Sequence, residues 1–251
     1  MIKLSENNEV YKSGDAVLRP YDEYTPGIHS LMTHFYNSGL PVPKIIKEND
    51  NGYEVQEFMQ GTPVHPYKWT DEGLISIARL VADMHNASNS YTPPASAVWR
   101  PWYLRELGGE KIVFSHGDIA PWNIVTDGEF PKGLVDWEYA GPIDSITELA
   151  RVCWLFVQLH DDDLGKLYDL PTPEKRAEQV RMMVDEYGLT VNQRREFFGR
   201  IIETVICETA HEAIDPGLTF ESTGSLWGFA WHTRSLYWIW RHSGILKRCL
   251  C

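Results

Sequence analysis

Residues 112–139 constrain this chain more than any other stretch. "IVFSHGDIAPWNIV" carries an apolar run into His116, Gly117 and Asp118, places Asn123 five residues beyond Asp118, and turns apolar again. "DGEFPKG" follows, dense in turn residues, and "LVDWEY" restores an apolar pattern. Two strands, "NIVT" and "LVDWEY", around one turn make an antiparallel hairpin, and a hairpin brings its outer ends together. Asn123 stands at one outer end, Asp136 near the other, and Asp118 on the loop just before. Three oxygen-bearing side chains are therefore expected at one mouth, with a neutral His116 bracing the loop.

That donor set has a chemistry. One carboxamide and one carboxylate, with further positions open, suit magnesium held jointly with substrate phosphates. Asp118 is then free to orient or deprotonate a hydroxyl. Phosphoryl transfer needs little beyond charge neutralisation and a positioned nucleophile. Asp118 alone reads as a turn cap, but with Asn123 and Asp136 it reads as part of a site. His-x-Asp, then Asn five beyond the Asp, then an Asp after a hairpin, fits the kinase catalytic-loop pattern.

The rest of the chain arranges itself around this hairpin. "EVYKSGDAVLRP" holds two β-type runs, Glu9 to Lys12 and Ala16 to Arg19, about a Ser-Gly-Asp turn, and Met1 to Leu4 can add another strand. "TPGIHSLMTHFYNSG" has helical spacing and a Gly39 stop, and "LPVPKII" and "YEVQEFM" flank an Asn-Asp-Asn-Gly turn. Beyond Gly61 the pattern is largely helical: "DEGLISIARLVADMHNAS", then 144–160, 172–187, 192–214 and roughly 220–247.

Charge and cysteines narrow the class. With 35 acids against 23 bases the net charge is -12, which disfavours nucleic acid and favours cationic ligands. Cys153, Cys207, Cys249 and Cys251 show no zinc-like spacing, so a reducing compartment is expected. "MIKLSENNEV" lacks a signal-peptide core and no apolar run is long enough to span a bilayer, so a soluble, cytoplasmic protein without membrane partners is expected.

Four segments resemble the aminoglycoside phosphotransferase and choline kinase family of small-molecule kinases. "SHGDIAPWNIV" is similar to its catalytic loop, "GLVDWEYAGPIDSITELA" to its metal-binding segment, and "NNEVYKSGDAVLRP" with "ARLVADMHNAS" to its first strands and Leu-His helix. The similarity spans pieces from about residue 4 to 153, in the family's order. It implies an α+β, two-lobed protein-kinase-like fold, with a small β-rich nucleotide-binding lobe over 1–61 and a mainly helical catalytic and substrate-binding lobe over 62–251. It implies Asp118 as catalytic base, Asn123 and Asp136 as Mg2+ ligands, and ATP or GTP as phosphoryl donor. Arg19 falls where the family has a phosphate-contacting base, and Glu57, Phe58 and Met59 fall on the hinge that holds the nucleotide base. The sequence departs from the family twice. "SENN", residues 5–8, has no glycine to cradle phosphate, and "TPGIHSLMTHF" offers no acid for the strand cation, Glu23 and His29 being the nearest groups.

The expected function is γ-phosphoryl transfer to a hydroxyl of a small, amine-bearing molecule such as an aminoglycoside, amino sugar or choline-like alcohol. The alternative is a nucleotide-binding regulator without transfer activity. Oligomeric state is left open. Elsewhere the plainer readings are taken. Asp144 is expected to cap a helix with Glu148 one turn on, and His85 to be a buried helix-end residue. Glu138 is placed on the strand face of Asp136. Trp227, Trp231 and Trp238 are read as a core stripe rather than an ammonium cage, Glu208 and Glu212 as a solvated acidic face, and "HDDDLG", 160–165, as a helix end and loop.

Overall fold

Short runs of β-branched and aromatic residues, each closed by a turn, build an N-terminal sheet. The computed structural model describes residues 1–4, 9–107, 109, 112–219, 221–223 and 226–250; the glycine-free stretch 5–8 lies outside them. Strands β1 (Ile2–Lys3), β2 (Tyr11–Ser13) and β3 (Ala16–Pro20) precede helix α1 (Thr25–Asn37), followed by β4 (Ile45–Asp50) and β5 (Tyr53–Glu57). All pairs are antiparallel, in the order β1-β2-β3-β5-β4. Asn51 and Gly52 both take left-handed backbone, φ 57° and 88°, as a two-residue primed hairpin turn requires. β4 starts at Ile45 rather than Leu40, because Pro41 and Pro43 have no N–H to give a ladder. The β3–β5 register sets Arg19 directly opposite Glu54. Opposed residues share one sheet face, so a cation and an acid stand side by side there.

The remainder is mainly helical and carries two small hairpin-like sheets. Helix α2 (Asp71–Ser88) is capped by Thr70, whose hydroxyl accepts from Gly73 N–H. Strands β6 (Ile112–Ser115), β7 (Ile124–Asp127), β8 (Phe130–Leu134) and β9 (Gly141–Asp144) follow, with β6 paired to β9 and β7 to β8. Helices α3 (Ser145–Phe156), α4 (Asp162–Leu167), α5 (Pro173–Tyr187), α6 (Val191–Ile214), α7 (Trp227–Arg241) and α8 (Ser243–Leu250) complete the chain. Asp144 caps α3 as expected, accepting from Thr147 N–H at 2.8 Å. No helix among the described residues is long and apolar enough to cross a membrane.

Three expectations change. The hairpin's second strand is Phe130–Leu134, so Asp136 lies past its end with φ 68°, and the shared strand face assumed for Glu138 does not exist. The last helical stretch breaks at His242, whose ring Nδ1 bonds to the Trp238 carbonyl at 2.9 Å, and resumes as α8. "HDDDLG" begins a short helix, because Asp161 accepts from Asp163 N–H and starts α4.

One hydrophobic core runs from α1 to α8. Trp137 is the piece of it nearest the expected site. It is 2% exposed, its ring packs on Phe35 of α1 at 5.8 Å and on His116 at 4.6 Å, and its indole donates to Leu134 O. Backbone bonds from Leu134 N–H to Pro41 O and from Thr126 N–H to Thr62 O tie the hairpin to the N-terminal region. Trp137→Ala is expected to cost about 3–5 kcal/mol, read as a lower urea midpoint.

Candidate active site

β6 ends in a loop that only glycine can complete. Gly117 has φ 79°, and a Cβ there would stand 2.2 Å from the Tyr139 carbonyl oxygen. His116 braces the turn from inside: Nε2–H donates to Val135 O at 2.9 Å and Nδ1 accepts from Asp118 N–H at 3.2 Å. Burial pushes its imidazole down to about 4, which keeps the neutral tautomer that this pair of bonds requires. Glu148 of α3 accepts from Gly117 N–H at 2.8 Å and meets His85 Nε2 at 2.6 Å. Burial opposes its ionisation, but the His85 contact outweighs it and holds the carboxyl below its ordinary range. His85 and His116 are thus the structural residues they were read to be.

The expected convergence is present. Asn123 lies in the 3₁₀ turn Pro121–Asn123, and its Nδ2 donates to both Asp118 Oδ2 and Asp118 O at 2.9 Å. Val135 N–H donates to Asn123 O at 2.8 Å, which sets Asp136 beside it. With its nitrogen held by Asp118, the Asn123 carboxamide turns its oxygen the other way. Asp136 keeps a left-handed backbone that non-glycine residues rarely adopt, a feature concentrated at functional sites.

Asp118 also touches a cation that sequence reasoning missed. Arg151 of α3 places Nη1 2.8 Å from Asp118 Oδ1. Its Nε and Nη2 donate to Glu208 of α6 at 2.8 and 3.0 Å, and Tyr103 O–H donates to the same carboxylate at 2.5 Å. Glu208 is buried, not part of a solvated face. Burial would lower Arg151, but Glu208 and Asp118 more than offset it and hold the guanidinium well above its ordinary value. Burial likewise raises Asp118, against the pull of Arg151, to about 6. The only sequence signal was a lone base inside the apolar run "ELARVCWLF".

The N-terminal cation is found where the sequence placed it, with partners from other elements. Arg19 Nη2 lies 2.5 Å from Asp136 Oδ1, Nε lies 3.7 Å from Glu54, and Glu138 is 4.0 Å away. Among the described residues the acids beside Arg19 come from β5 and from the chain after β8 rather than from α1, which contributes His29, whose Nε2 meets the Glu54 carboxylate. A cavity of about 300 Å3 opens here, bounded by Arg19, Asp22, Glu54, Arg100, Trp137 and Glu138. Glu57, Phe58 and Met59 stand outside its lining. Glu57 N–H donates to Lys44 O, Phe58 N–H donates to Asp15 O, and Met59 packs against Gly133.

The oxygen donors fit magnesium. Among the described residues no three His, Cys, Asp or Glu side chains form a cage of their own. A cation between Asn123 and Asp136 would need phosphate and water oxygens to complete its shell, as magnesium does with nucleotides. Arg19 pairs with the Asp136 carboxylate across this space.

A second cavity, about 260 Å3, meets the loop from another side. Trp102 donates its indole N–H to Gly117 O at 2.8 Å and stacks on Tyr139 at 4.0 Å, and Glu208, Glu212 and Asp215 share the wall. Burial, then Glu208 and Asp215, raise the Glu212 carboxyl.

Comparison with known proteins bears on the family and the fold. Residues 97–177 match the model of the "Phosphotransferase enzyme family". The trifolitoxin immunity protein of Rhizobium leguminosarum bv. trifolii is 36% identical over 246 residues, covering 96% of this chain and 94% of that protein. Among solved structures, amicoumacin kinase hAmiN in complex with AMP-PNP, Ca2+ and Ami superposes with TM-score 0.66 at 11% identity, over 96% of this chain and 83% of that one. A choline/ethanolamine kinase family protein from Mesorhizobium loti gives 0.58 at 15%, over 96% and 89%. The macrolide 2'-phosphotransferase MphH from Brachybacterium faecium gives 0.57 at 13%, over 99% and 90%. The α+β, two-lobed kinase-like fold expected from the sequence is the fold of these neighbours.

Proposed function

The chain belongs to the phosphotransferase enzyme family of small-molecule kinases, and from that premise we propose that it moves the γ-phosphoryl group of ATP or GTP to a hydroxyl of a small toxin or antibiotic, disarming it. The observation that carries this is the half-buried Asp118 carboxylate, held by Asn123 on one oxygen and Arg151 on the other. Asp118 accepts the acceptor's hydroxyl hydrogen as the new O–P bond forms and the bond to the β-phosphate breaks, leaving a phosphate monoester and the nucleoside diphosphate. Arg151 keeps Asp118 ionised in its buried setting and fixes the carboxylate plane.

Asn123 and Asp136 hold magnesium in this reading. Bound there, the ion draws charge from the phosphate oxygens. Arg19 lies within reach of the same phosphates once it leaves Asp136, and its planar fork suits a phosphate oxygen pair. Residues 1–61 form the nucleotide-binding lobe, with Glu57, Phe58 and Met59 as hinge, and 62–251 the catalytic and acceptor lobe. A nucleoside triphosphate donor supports a cytoplasmic setting.

The acidic, aromatic-walled cavity at Trp102 and Glu212 supports an amine on the acceptor, and two names support its class. A 36%-identical relative is called an immunity protein against trifolitoxin, and structural neighbours are named for amicoumacin and macrolides. A nucleotide-binding regulator is the second reading, favoured by the stretch 5–8, which has no glycine for close approach to phosphate. Incubation with γ-18O-labelled ATP or GTP, magnesium and a panel of aminoglycoside, amino-alcohol and peptide-antibiotic acceptors separates the two. Labelled phosphate monoester in the mass spectrum is the expected result. Nucleotide-induced thermal stabilisation with no labelled product across the panel would favour the regulator.

A further inference from the structure

A third cavity touches the catalytic loop through Trp122, one residue before Asn123. Trp122 is 39% exposed, and its ring meets His65 edge-on at 5.5 Å and Trp231 of α7 at 6.2 Å. Behind Trp231, Trp154 stacks at 6.1 Å. Tyr168 and Trp227 close the rim; Trp227 is 60% exposed, so it is not the core residue its spacing suggested. The volume is about 170 Å3. An apolar protein cavity of about 150 Å3 holds a benzene ring, so the space fits one ring system rather than a whole drug-sized molecule.

The cavity carries no charge. His65, Gln158, His160 and the Tyr168 hydroxyl are its polar groups besides the indoles. His160 Nδ1 accepts the Trp231 indole N–H at 3.3 Å, which leaves the proton on Nε2. Burial, then Arg176, pushes His160 down to about 3, and burial also lowers His65, so both imidazoles stay neutral. The three acids of "HDDDLG" are engaged outside the cavity. Arg234 Nη2 binds Asp161 Oδ1 at 2.8 Å and also Asp163, and Arg241 binds Asp162 at 2.6 Å, with the Trp238 indole on the same carboxylate. The nearby buried charge is a cation, Arg176, whose guanidinium donates to Gln158 O and His160 O. An ammonium group would therefore meet no free carboxylate among the described residues that line this cavity.

The lining is also built rather than incidental. Gln158 has φ 55°, a left-handed backbone costly for a non-glycine residue, and it is held by its Nε2 donating to Pro66 O at 3.0 Å and by Arg176. With its nitrogen on Pro66 O, the Gln158 carboxamide keeps its oxygen as an acceptor, and His160 and Tyr168 add donors to the aromatic lining.

We propose that this cavity is an acceptor subsite for an uncharged, planar ring system carrying one hydrogen-bond acceptor and one donor. The idea rests on the phosphotransfer reading and deepens it: the acceptor joins a ring seated against Trp122 and Trp231 to the hydroxyl that faces Asp118. Trp122 couples recognition of the ring to the loop that carries Asp118 and Asn123.

The test uses 2-quinolone as probe, planar and neutral with one N–H and one C=O, followed by quenching of tryptophan fluorescence and by saturation-transfer NMR on the full chain. Saturable binding is expected, weakened about tenfold by Trp231→Ala and by Trp227→Ala, since each removes one aromatic wall. Trp227 is exposed enough that its variant keeps the core even if Trp231→Ala unfolds. No binding up to the solubility limit, equal binding in a folded variant, or displacement of the probe by choline overturns the proposal. Loss of probe binding in the variants without phosphorylation of any acceptor leaves the subsite standing and removes the transfer reading. Phosphorylation with an unchanged acceptor KM in both variants does the reverse.

Discussion

Asp118→Asn is expected to lower turnover by about 10²–10⁴-fold, the range that a positioned general base contributes. The chain should stay folded, because Asn keeps the shape and still accepts from Arg151 through its carbonyl oxygen. A second consequence follows from the raised Asp118 carboxyl, about 6 in the folded chain against an ordinary 3.8. Between those values the folded state binds a proton that the unfolded state has released. Stability from this group is therefore full below about pH 4 and is lost as pH rises through 6. The shift corresponds to about 3 kcal/mol. The variant has no such titration, so its unfolding free energy in urea should gain on that of the natural chain by that amount between pH 4 and pH 7. Parallel curves would refute the buried-carboxylate account, and near-natural turnover would refute the catalytic role.

Arg151→Met is expected to be the most damaging change in the helical region. The guanidinium faces two carboxylates, Asp118 and Glu208, inside the protein. Removing it leaves both acids buried without a cation, a loss of about 3–5 kcal/mol in stability. Turnover should fall as well, because Asp118 would then hold its proton through neutral pH. Pairing Arg151→Met with Glu208→Gln is expected to restore much of the stability, since the larger uncompensated charge is gone, but little of the turnover. The two changes touch one network, so their effects should not add. Urea denaturation with turnover, measured on the two single variants and the double variant, reads both predictions. Additive stability losses would mean that the three groups do not act as a unit.

Stability and chemistry thus meet at one carboxylate. An ionised Asp118 above pH 6 is worse for the fold and necessary for the reaction. Arg151 limits that conflict without removing it, since Asp118 remains raised despite a cation at 2.8 Å.

How much of this was legible beforehand depended on range. The turn at Asn51-Gly52, the cap at Asp144, and the return of Asp136 towards Asn123 all follow from contacts a few residues apart or across one hairpin. Local pattern carries such information, because turn type and strand alternation dictate them. Where the local reading failed, longer-range packing intervened. "LVDWEY" alternates like a strand, yet Asp136 leaves the ladder because Trp137 is drawn into the core against Phe35, about a hundred residues earlier in the chain.

The sequence by itself therefore determined the α+β order of elements, the loop with Asp118 and Asn123, and the hairpin that returns Asp136 to it. Tertiary structure alone decided which charges face one another. Arg151 reaches Asp118 and Glu208 only when α3 and α6 pack side by side. Glu54 stands beside Arg19 only through the β3–β5 register, and the "HDDDLG" acids are neutralised only by α7. The physical reason is that partners for buried charges are set by proximity in the folded core, and burial penalises any left unpaired. A one-dimensional spacing rule carries no information about which distant helix supplies the counter-charge.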